Sequence, residues 1–301
     1  MNNQQITVIG AGTMGNGIAH VFLQAGYKVH LVDTNELQLN KAIDTIAKNM
    51  DRQIVKAVLT IAEKETFLKN ISTYSSIQDG VKNAFLVIEA ATENTEIKLK
   101  IFEQIDAHAP AGAILASNTS SISITKIAAI TKRPEKVIGM HFMNPVPVMK
   151  LVEIINGYAT DLNVTETIVA LTNQLNKVPC VVNDYPGFIA NKILMPMINE
   201  AIYSLYEGIA GVTSIDTIMK LGMAHPMGPL QLADFIGLDV CLSILQTLQQ
   251  GFGNNKYAPC PLLVNMVAAG KIGVKSGEGF YIYTAGNKEL VVSKRFAIKL
   301  A

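Results

Sequence analysis

The chain has 301 residues, 49% of them hydrophobic, and its 25 basic and 24 acidic side chains leave a formal net charge of +1. This length allows one large or two ordinary domains with a sizeable buried core. No run of Lys or Arg provides the basic footprint of nucleic-acid binding, and no apolar run is long enough for a membrane span, so we expect neither partner.

The first half of the chain alternates short apolar runs with helical periodicity. A strand is predicted at Ile6–Ile9, then a helix from Thr13 to Ala25 that Gly26 ends, then a strand at Lys28–Asp33. The alternation continues with strands at residues 85–90, 113–117, 137–141, 150–155 and 179–182 and helices at 96–107 and 122–130. Such a pattern is typical of the α/β class, in which helices cover a mostly parallel, Rossmann-type sheet.

The pattern changes at Pro186, after which only helices are predicted. One long helix is predicted from Phe188 to Gly208 with a kink at Pro196, and further helices at Ser214–Leu221 and Leu230–Gln249. We therefore expect a Rossmann-like domain over residues 1–186 and an all-helical domain over residues 187–301.

The long helix carries an apolar stripe with more hydrophobic surface than a small domain can easily bury. The stripe predicts either a homodimer interface or ordinary core. Its members are Met195, Met197, Ile198, Ile202 and Leu205.

The cysteines and histidines restrict the class of protein further. Three cysteines (Cys180, Cys241 and Cys260) are odd in number and far apart, which argues against a disulfide framework and favours a reducing, cytoplasmic environment. The polar N-terminus shows no signal-peptide pattern. The five histidines have no ligand spacing, so no metal site is expected.

The segment Gly10-Ala11-Gly12-Thr13-Met14-Gly15 follows the first predicted strand and opens the first predicted helix. In that context GxGxxG is the fingerprint of dinucleotide binding, because its glycines allow the turn, the approach of the pyrophosphate and close packing of helix on strand. The N–H groups at the helix start, near Thr13 and Met14, favour phosphate. Asp33 would accept hydrogen bonds from the adenosine ribose and repel a 2′-phosphate, which favours NAD. A glycine-rich turn without a ligand is the alternative.

His141 ends one predicted strand and Glu153 lies in the next. The connection is too short for a parallel crossover, so the two strands should be antiparallel. A turn centred on Pro147 would place residue 141 directly opposite residue 153, on the same face. A carboxylate beside an imidazole orients the ring and raises its pKa, as a general base for an alcohol requires. A structural hydrogen bond is the alternative, but ligands bind at the carboxyl ends of parallel strands, where His141 lies.

Six segments resemble the L-3-hydroxyacyl-coenzyme A dehydrogenase family over nearly the whole chain. They are GAGTMGNG (10–17), SNTSS (117–121), HFMNPVPVMKL (141–151), PGFIAN (186–191), HPMGPLQLADFIG (225–237) and GEGFY (277–281). The resemblance implies an NAD-dependent oxidoreductase that interconverts 3-hydroxyacyl-CoA, of short chain, and 3-ketoacyl-CoA. It also implies that residues 1–186 bind NAD and that residues 187–301 form a substrate and dimerisation domain.

The resemblance implies a role for each matching polar residue of the reaction site. His141 would be the catalytic base and Glu153 would orient it. Ser120 would bond the substrate hydroxyl or thioester carbonyl, and Asn191, from the helical domain, would hold the thioester end.

The resemblance also implies contacts near the nicotinamide. Glu93 and Lys98 match the acid and lysine of its ribose region, and Ser120 and Asn144 lie near the ring. For Glu93 and Lys98, a solvated helix start is the alternative from sequence alone.

The coenzyme A end of the resemblance is incomplete. Arg52 and Lys56 match the basic helix end that grips the coenzyme A phosphates in the family, whereas Val55, Ala57 and Val58 replace lysines and a glycine often found there. A same-family enzyme for a free 3-hydroxy or sugar acid therefore stays open.

Two further alternatives would not depend on the His–Glu pair. A phosphogluconate-type dehydrogenase relies on a lysine in the helical segment, near where Lys192 lies, but the HFMNPVPVMKL segment argues against that class. A dinucleotide sensor without activity would need no His–Glu pair.

Overall fold

The computed structural model describes residues 4–284, 286 and 289–297. The chain divides into two compact units, Met1–Tyr185 and Pro186–Ala301. The strands of the first unit are β1 (Gln5–Ile9), β2 (Lys28–Val32), β3 (Ile71–Tyr74), β4 (Ala84–Glu89), β5 (Ile114–Ser117), β6 (Val137–Phe142), β7 (Leu151–Asn156) and β8 (Val178–Asn183).

These strands form one sheet in the order β3-β2-β1-β4-β5-β6-β7-β8. Neighbours from β3 to β6 are parallel, β6 and β7 are antiparallel, and β8 is parallel to β7. Consecutive residues of a strand face opposite sides, and the neighbours Val87 and Ile88 are both fully buried, so the sheet is covered on both faces. The prediction of a mostly parallel α/β sheet is confirmed.

Helices connect the strands, and several of them begin at side-chain caps. Asn35 accepts hydrogen bonds from the N–H groups of Leu37 and Gln38, and Thr60 and Glu63 form a reciprocal capping box. The helices are α1 (Thr13–Gln24), α2 (Glu36–Val55), α3 (Ile61–Leu68), α4 (Ile77–Val81), α5 (Thr95–His108), α6 (Ile124–Ala128) and α7 (Leu162–Gln174). The prediction of a helix over residues 122–130 is too long, because Ser123 caps α6 and only five residues are helical.

The second unit is mainly helical. Its helices are α8 (Ala190–Tyr206), α9 (Val212–Thr217), a π-helical turn (Ile218–Gly222), α10 (Pro229–Ile236), α11 (Leu238–Phe252) and α12 (Pro261–Ala268). Two-residue strands, β9 (Tyr281–Ile282) and β10 (Val291–Val292), form an antiparallel pair that the expectation of helices alone did not include. Among the described residues, no single helix is long and apolar enough to cross a membrane.

The prediction of one helix over Leu230–Gln249 is wrong. The chain forms two helices, α10 and α11, which are bent by 96° at Gly237. Gly237 has φ +104°, a backbone conformation that residues with a Cβ rarely adopt. The apolar periodicity continues across this glycine, so the pattern alone did not show the break.

The apolar stripe of α8 lies mostly in the core of the second unit. Met195, Ile198 and Ile202 are almost fully buried, in one cluster with residues of α10 and α11. These three members are therefore core, whereas Met197 and Leu205 are only partly buried, so the expectation of a homodimer interface stays a prediction.

Buried carboxylates hold the segments of the second unit together. Asp216 accepts hydrogen bonds from the first N–H groups of α10, at Leu230 (2.8 Å) and Gln231 (3.0 Å). Asp234 accepts from the backbone of Phe280 and of the following residue. Burial raises the pKa of Asp234 to about 6. These contacts give the HPMGPLQLADFIG and GEGFY segments a structural role.

His20 makes stability depend on pH. It lies on α1 with no exposed surface, and burial, which outweighs the opposite effect of Gln53, lowers its pKa from 6.5 to about 4. The unfolded chain therefore binds an extra proton between these values. The stability that neutral His20 confers is complete above pH 6.5 and is lost as the pH falls toward 4.

We expect His20→Leu to lose less stability on acidification than the wild type. Between about pH 7 and about pH 5, the loss of unfolding free energy should be smaller in His20→Leu than in the wild type by about 2 kcal/mol. Urea denaturation at both pH values measures this loss. The control is His108→Gln, at an exposed position on α5. Equal acid sensitivity of wild type and His20→Leu would contradict this account.

Candidate active site

The glycine loop has the geometry that a dinucleotide needs. Gly10 has φ +97°, and a Cβ there would lie 2.6 Å from the carbonyl oxygen of Ala90. A Cβ at Gly15 would lie 1.7 Å from the carbonyl oxygen of Gly10, so α1 packs directly on the strand end. A Cβ at Gly12 would meet no atom within 4 Å and would project into open space, where the backbone can approach a phosphate.

The start of α1 and the end of β2 complete this loop. The N-terminus of α1, at Thr13 and Met14, has no side-chain cap and no acidic residue in its first turn, which leaves N–H groups for an anion. Asp33 follows β2, and its carboxylate accepts hydrogen bonds from the N–H groups of Ala11 (2.8 Å) and Asn35 (2.9 Å). A carboxylate has further acceptor sites that suit ribose hydroxyls. These residues fit NAD.

His141 and Glu153 lie directly opposite each other in the antiparallel pair of β6 and β7, as the centre of the turn predicted. His141 Nδ1 is 2.7 Å from Glu153 Oε2, and the two side chains are 12% and 3% exposed. The imidazole is thus largely, and the carboxylate almost completely, shielded from water at the carboxyl end of β6.

Glu93 is the common hydrogen-bond acceptor for the serine-rich loop at the end of β5, which is called the serine loop below (residues 117–121). Its Oε1 accepts hydrogen bonds from the hydroxyls of Thr119 (2.7 Å), Ser120 (3.1 Å) and Ser121 (3.0 Å), and from the N–H groups of the two serines. Burial opposes ionisation of Glu93, but the charge of Lys98 and these hydrogen bonds outweigh it and lower the pKa of the carboxyl. Ser120 is therefore held by an ionised side chain.

Lys98 is almost fully buried, which excludes the solvated helix start as its setting. Its ammonium forms an ion pair with Glu89, whose side chain is also buried, and lies 3.8 Å from Glu93 Oε2. The structure thus brings Lys98 and Glu93 together, with Glu89 as a third member that the sequence analysis missed.

The β6–β7 turn brings Asn144 to the glycine loop. Asn144, which precedes a cis peptide bond to Pro145, lines a cavity of about 260 Å³ together with Thr13. Lys177, which the sequence analysis missed, fixes this turn by donating to the carbonyl oxygens of Val146 (2.6 Å) and Met149 (2.7 Å).

The two residues predicted for coenzyme A lie at the end of α2. Arg52 donates a hydrogen bond to Asn49 (3.3 Å), which lines the same cavity, and Lys56 is exposed at the helix C-terminus. Lys41, on the same helix, also lines the cavity. The sequence analysis missed Lys41, although it lies eleven residues, or about three helical turns, before Arg52 and thus on the same helix face.

Asn191 lies in the second unit, in the first turn of α8, and is almost fully buried. Its predicted contact with the substrate thioester stays a prediction. Asn118, a further residue that the sequence analysis missed, accepts a hydrogen bond from the N–H of Phe142 (2.9 Å) and so joins the serine loop to the strand of His141.

A glycine loop on a parallel strand, an acidic residue after the next strand and an uncapped helix N-terminus define a dinucleotide-binding protein of the Rossmann class. A family model described as the NAD binding domain of 3-hydroxyacyl-CoA dehydrogenase matches residues 5–185, and one for the C-terminal domain of that enzyme matches residues 187–283. The chain belongs to the 3-hydroxyacyl-CoA dehydrogenase family, and it is an NAD-dependent oxidoreductase.

Individual relatives are similar over almost their full lengths. The 3-hydroxybutyryl-CoA dehydrogenase of Bradyrhizobium diazoefficiens is 52% identical, over 93% of this chain and 95% of that protein. The probable 3-hydroxybutyryl-CoA dehydrogenase of Bacillus subtilis is 50% identical, over 94% of this chain and 98% of that protein. The crystal structure of (S)-3-hydroxybutyryl-CoA dehydrogenase from Ralstonia eutropha has a TM-score of 0.92 at 48% identity and covers 94% of this chain and 100% of that chain.

Substitutions in the glycine loop should separate cofactor binding from folding. We expect Gly12→Ala to keep the thermal stability of the wild type, because its Cβ meets no neighbour, but to weaken NAD at least about tenfold, or about 1.4 kcal/mol, because the methyl group stands where the pyrophosphate approaches. Gly15→Ala should lower the melting temperature as well. Calorimetric NAD titration and thermal melts measure both effects, and unchanged NAD affinity in Gly12→Ala would refute the assignment.

Proposed function

We propose that the chain interconverts 3-hydroxybutyryl-CoA and the corresponding 3-ketoacyl-CoA, with His141 as the group that takes and returns the hydroxyl proton. The observation that carries this proposal is the 2.7 Å contact between His141 and a buried carboxylate at the carboxyl end of β6. The similarity to the bacterial 3-hydroxybutyryl-CoA dehydrogenases supports the choice of substrate.

The pairing with Glu153 decides which nitrogen of His141 does the chemistry. An ionised carboxylate can only accept, so Nδ1 carries the hydrogen of this bond and Nε2 is the basic nitrogen. Nε2 would take the proton of the substrate hydroxyl during oxidation and return it during reduction. The charge of Glu153 would stabilise the imidazolium formed in between.

Ser120 and Asn191 would hold the substrate. The backbone N–H of Ser120 donates to Glu93 and keeps the residue in place when its hydroxyl releases Glu93 and turns its O–H toward the substrate hydroxyl or thioester oxygen. By family resemblance, Asn191 would hold the thioester end. Alignment of this kind lets the O–H and C–H bonds of the alcohol break in one geometry.

NAD, when bound, supplies the two-electron acceptor for the oxidation of the alcohol carbon. Gly10, Gly12 and Gly15 would give its pyrophosphate access to the backbone, and Asp33 would bind the adenosine ribose. Asn144 would lie near the nicotinamide.

Arg52 and Lys56 would contact the coenzyme A phosphates. The positive charge of these side chains on α2 suits a phosphate ligand, and Lys41 adds a third cation at the cavity that contains Asn144.

Substrate comparison tests the proposed reaction. We expect rapid NADH oxidation with acetoacetyl-CoA and little with free acetoacetate, because the basic side chains of α2 have no partner in the free acid. Steady-state kcat/KM for both compounds is the measurement. A higher kcat/KM for the free acid would refute this proposal and would favour a dehydrogenase that acts on free 3-hydroxy acids.

Substitution of the paired side chains tests the proton transfer. We expect His141→Ala to lower kcat by about 10²–10⁴-fold, since no base remains. Glu153→Gln should lower it by a similar order, because the amide can donate to Nδ1 and so move the imidazole hydrogen to Nε2. NADH affinity, measured by calorimetry, should stay near that of the wild type in both variants. Unchanged kcat in His141→Ala would remove it from the chemistry.

We also propose that the enzyme is a cytoplasmic homodimer that pairs through its second unit. Large apolar side chains are exposed there, including Leu221 (80%), Met223 (60%) and Phe235 (69%). Exposed apolar surface of this kind is typical of protein interfaces. Sedimentation velocity measures the assembly, and a monomer at micromolar concentration would contradict it.

A further inference from the structure

Glu89 is a buried acid that the proposed chemistry does not use. It is the last residue of β4, has no exposed surface, and makes four contacts through its carboxylate and backbone carbonyl. Oε1 accepts from the N–H of Ala91 (2.9 Å), and Oε2 accepts from the hydroxyl of Ser117 (2.9 Å) and forms the ion pair with Lys98. The carbonyl oxygen accepts from the N–H of Asn118 (2.8 Å). A buried charge is costly, so its arrangement calls for a reason.

Lys98 lies between two carboxylates. Its ammonium is in direct contact with Glu89 and stands 3.8 Å from Glu93. The nearer carboxylate holds the ammonium, and Glu93 keeps its Oε1 for the serine loop. Without the charge of Glu89, Lys98 would be drawn to Glu93, since its buried ammonium would have no other carboxylate this close and the attraction between unlike charges rises as their distance falls.

Glu89 therefore acts on both ends of the serine loop. It holds the start of the loop directly, through Ser117 and Asn118, and the later part indirectly, through Lys98 and Glu93. Ser120 lies in the part that Glu93 holds.

We propose that Glu89 is a positioning residue for Ser120, acting through Lys98 and Glu93. The inference rests on the proposed role of Ser120 in holding the substrate. Glu89 touches neither substrate nor cofactor in this account; it sets where the Ser120 hydroxyl stands relative to His141.

The variant Glu89→Gln separates charge from shape. Its amide oxygen can still accept from the N–H of Ala91, next to the glycine loop, but the negative charge that faces Lys98 is gone. We expect kcat with acetoacetyl-CoA and NADH to fall by about 10- to 100-fold, the size of effect that a displaced aligning group has. NADH affinity should fall by much less than kcat, because the glycine loop keeps its contacts and only the predicted nicotinamide-ribose contacts of Glu93 and Lys98 are disturbed.

A double-mutant cycle with Ser120→Ala tests the connection. If Glu89 acts through Ser120, Glu89→Gln should lower kcat by less than about twofold in the Ser120→Ala background, since the group it positions is already absent. A role confined to stability would instead give the same fold loss in both backgrounds, and that result would overturn the inference.

Asp106→Asn is the matched control. Asp106 is also a buried acid in an ion pair, with Arg133 Nε at 2.7 Å, but it lies near the end of α5, and its carboxylate contacts Lys132 and Arg133 rather than the serine loop. The same change from carboxylate to amide there should lower the melting temperature and leave kcat near the wild-type value.

The outcomes separate the two proposals. If Ser120→Ala itself leaves kcat unchanged, the role of Ser120 in the proposed function fails, and the inference fails with it. If Ser120→Ala lowers kcat and the cycle is additive, only the inference fails. Should Glu89→Gln not fold, Glu89→Gln combined with Lys98→Met removes both charges from the core. Because no ammonium is left to draw Glu93 from the serine loop, that variant should fold with kcat at saturating NADH within about threefold of the wild type, and a loss of about tenfold or more would overturn the inference.

Discussion

His141 and Glu153 face each other because β7 turns back along β6, at the point where the sheet changes from parallel to antiparallel pairing. Directly opposed residues of an antiparallel pair point to the same side, so the register alone sets the contact between imidazole and carboxylate. The same turn brings Asn144 to the cavity that Thr13 lines. One strand pairing thus connects the proposed proton acceptor with the cofactor loop, and the proposed reaction depends on it.

The local parts of the site could be predicted from the sequence. Gly10 and Gly15 occupy positions where a Cβ would collide with the backbone. The requirement for glycine at these positions follows from a short motif in its strand–turn–helix context. The opposition of residues 141 and 153 was predicted because a short turn with a known centre fixes the register. Both inferences use only residues close together in the chain.

The parts that depend on how separate elements pack against each other could not be predicted. Glu89 and Lys98 lie nine residues apart on a strand and a helix, and nothing in their spacing shows that they meet in the core. Gly237 interrupts a run whose apolar periodicity continues, so its positive φ was hidden. The sequence suggests that Lys177 is a surface residue, yet its ammonium donates hydrogen bonds to two carbonyl oxygens of the β6–β7 turn.

The packing of the β6–β7 turn limits how the chain length there can vary among related enzymes. A Cβ at Gly17 would lie 2.9 Å from the Val146 side chain, and Lys177 ties Val146 and Met149 from the other side, so the turn has no slack to absorb an extra residue. A single insertion would have to pass into β7 and would rotate Glu153 to the opposite face of the sheet. Related enzymes should therefore show no odd change of length between Phe142 and Glu153.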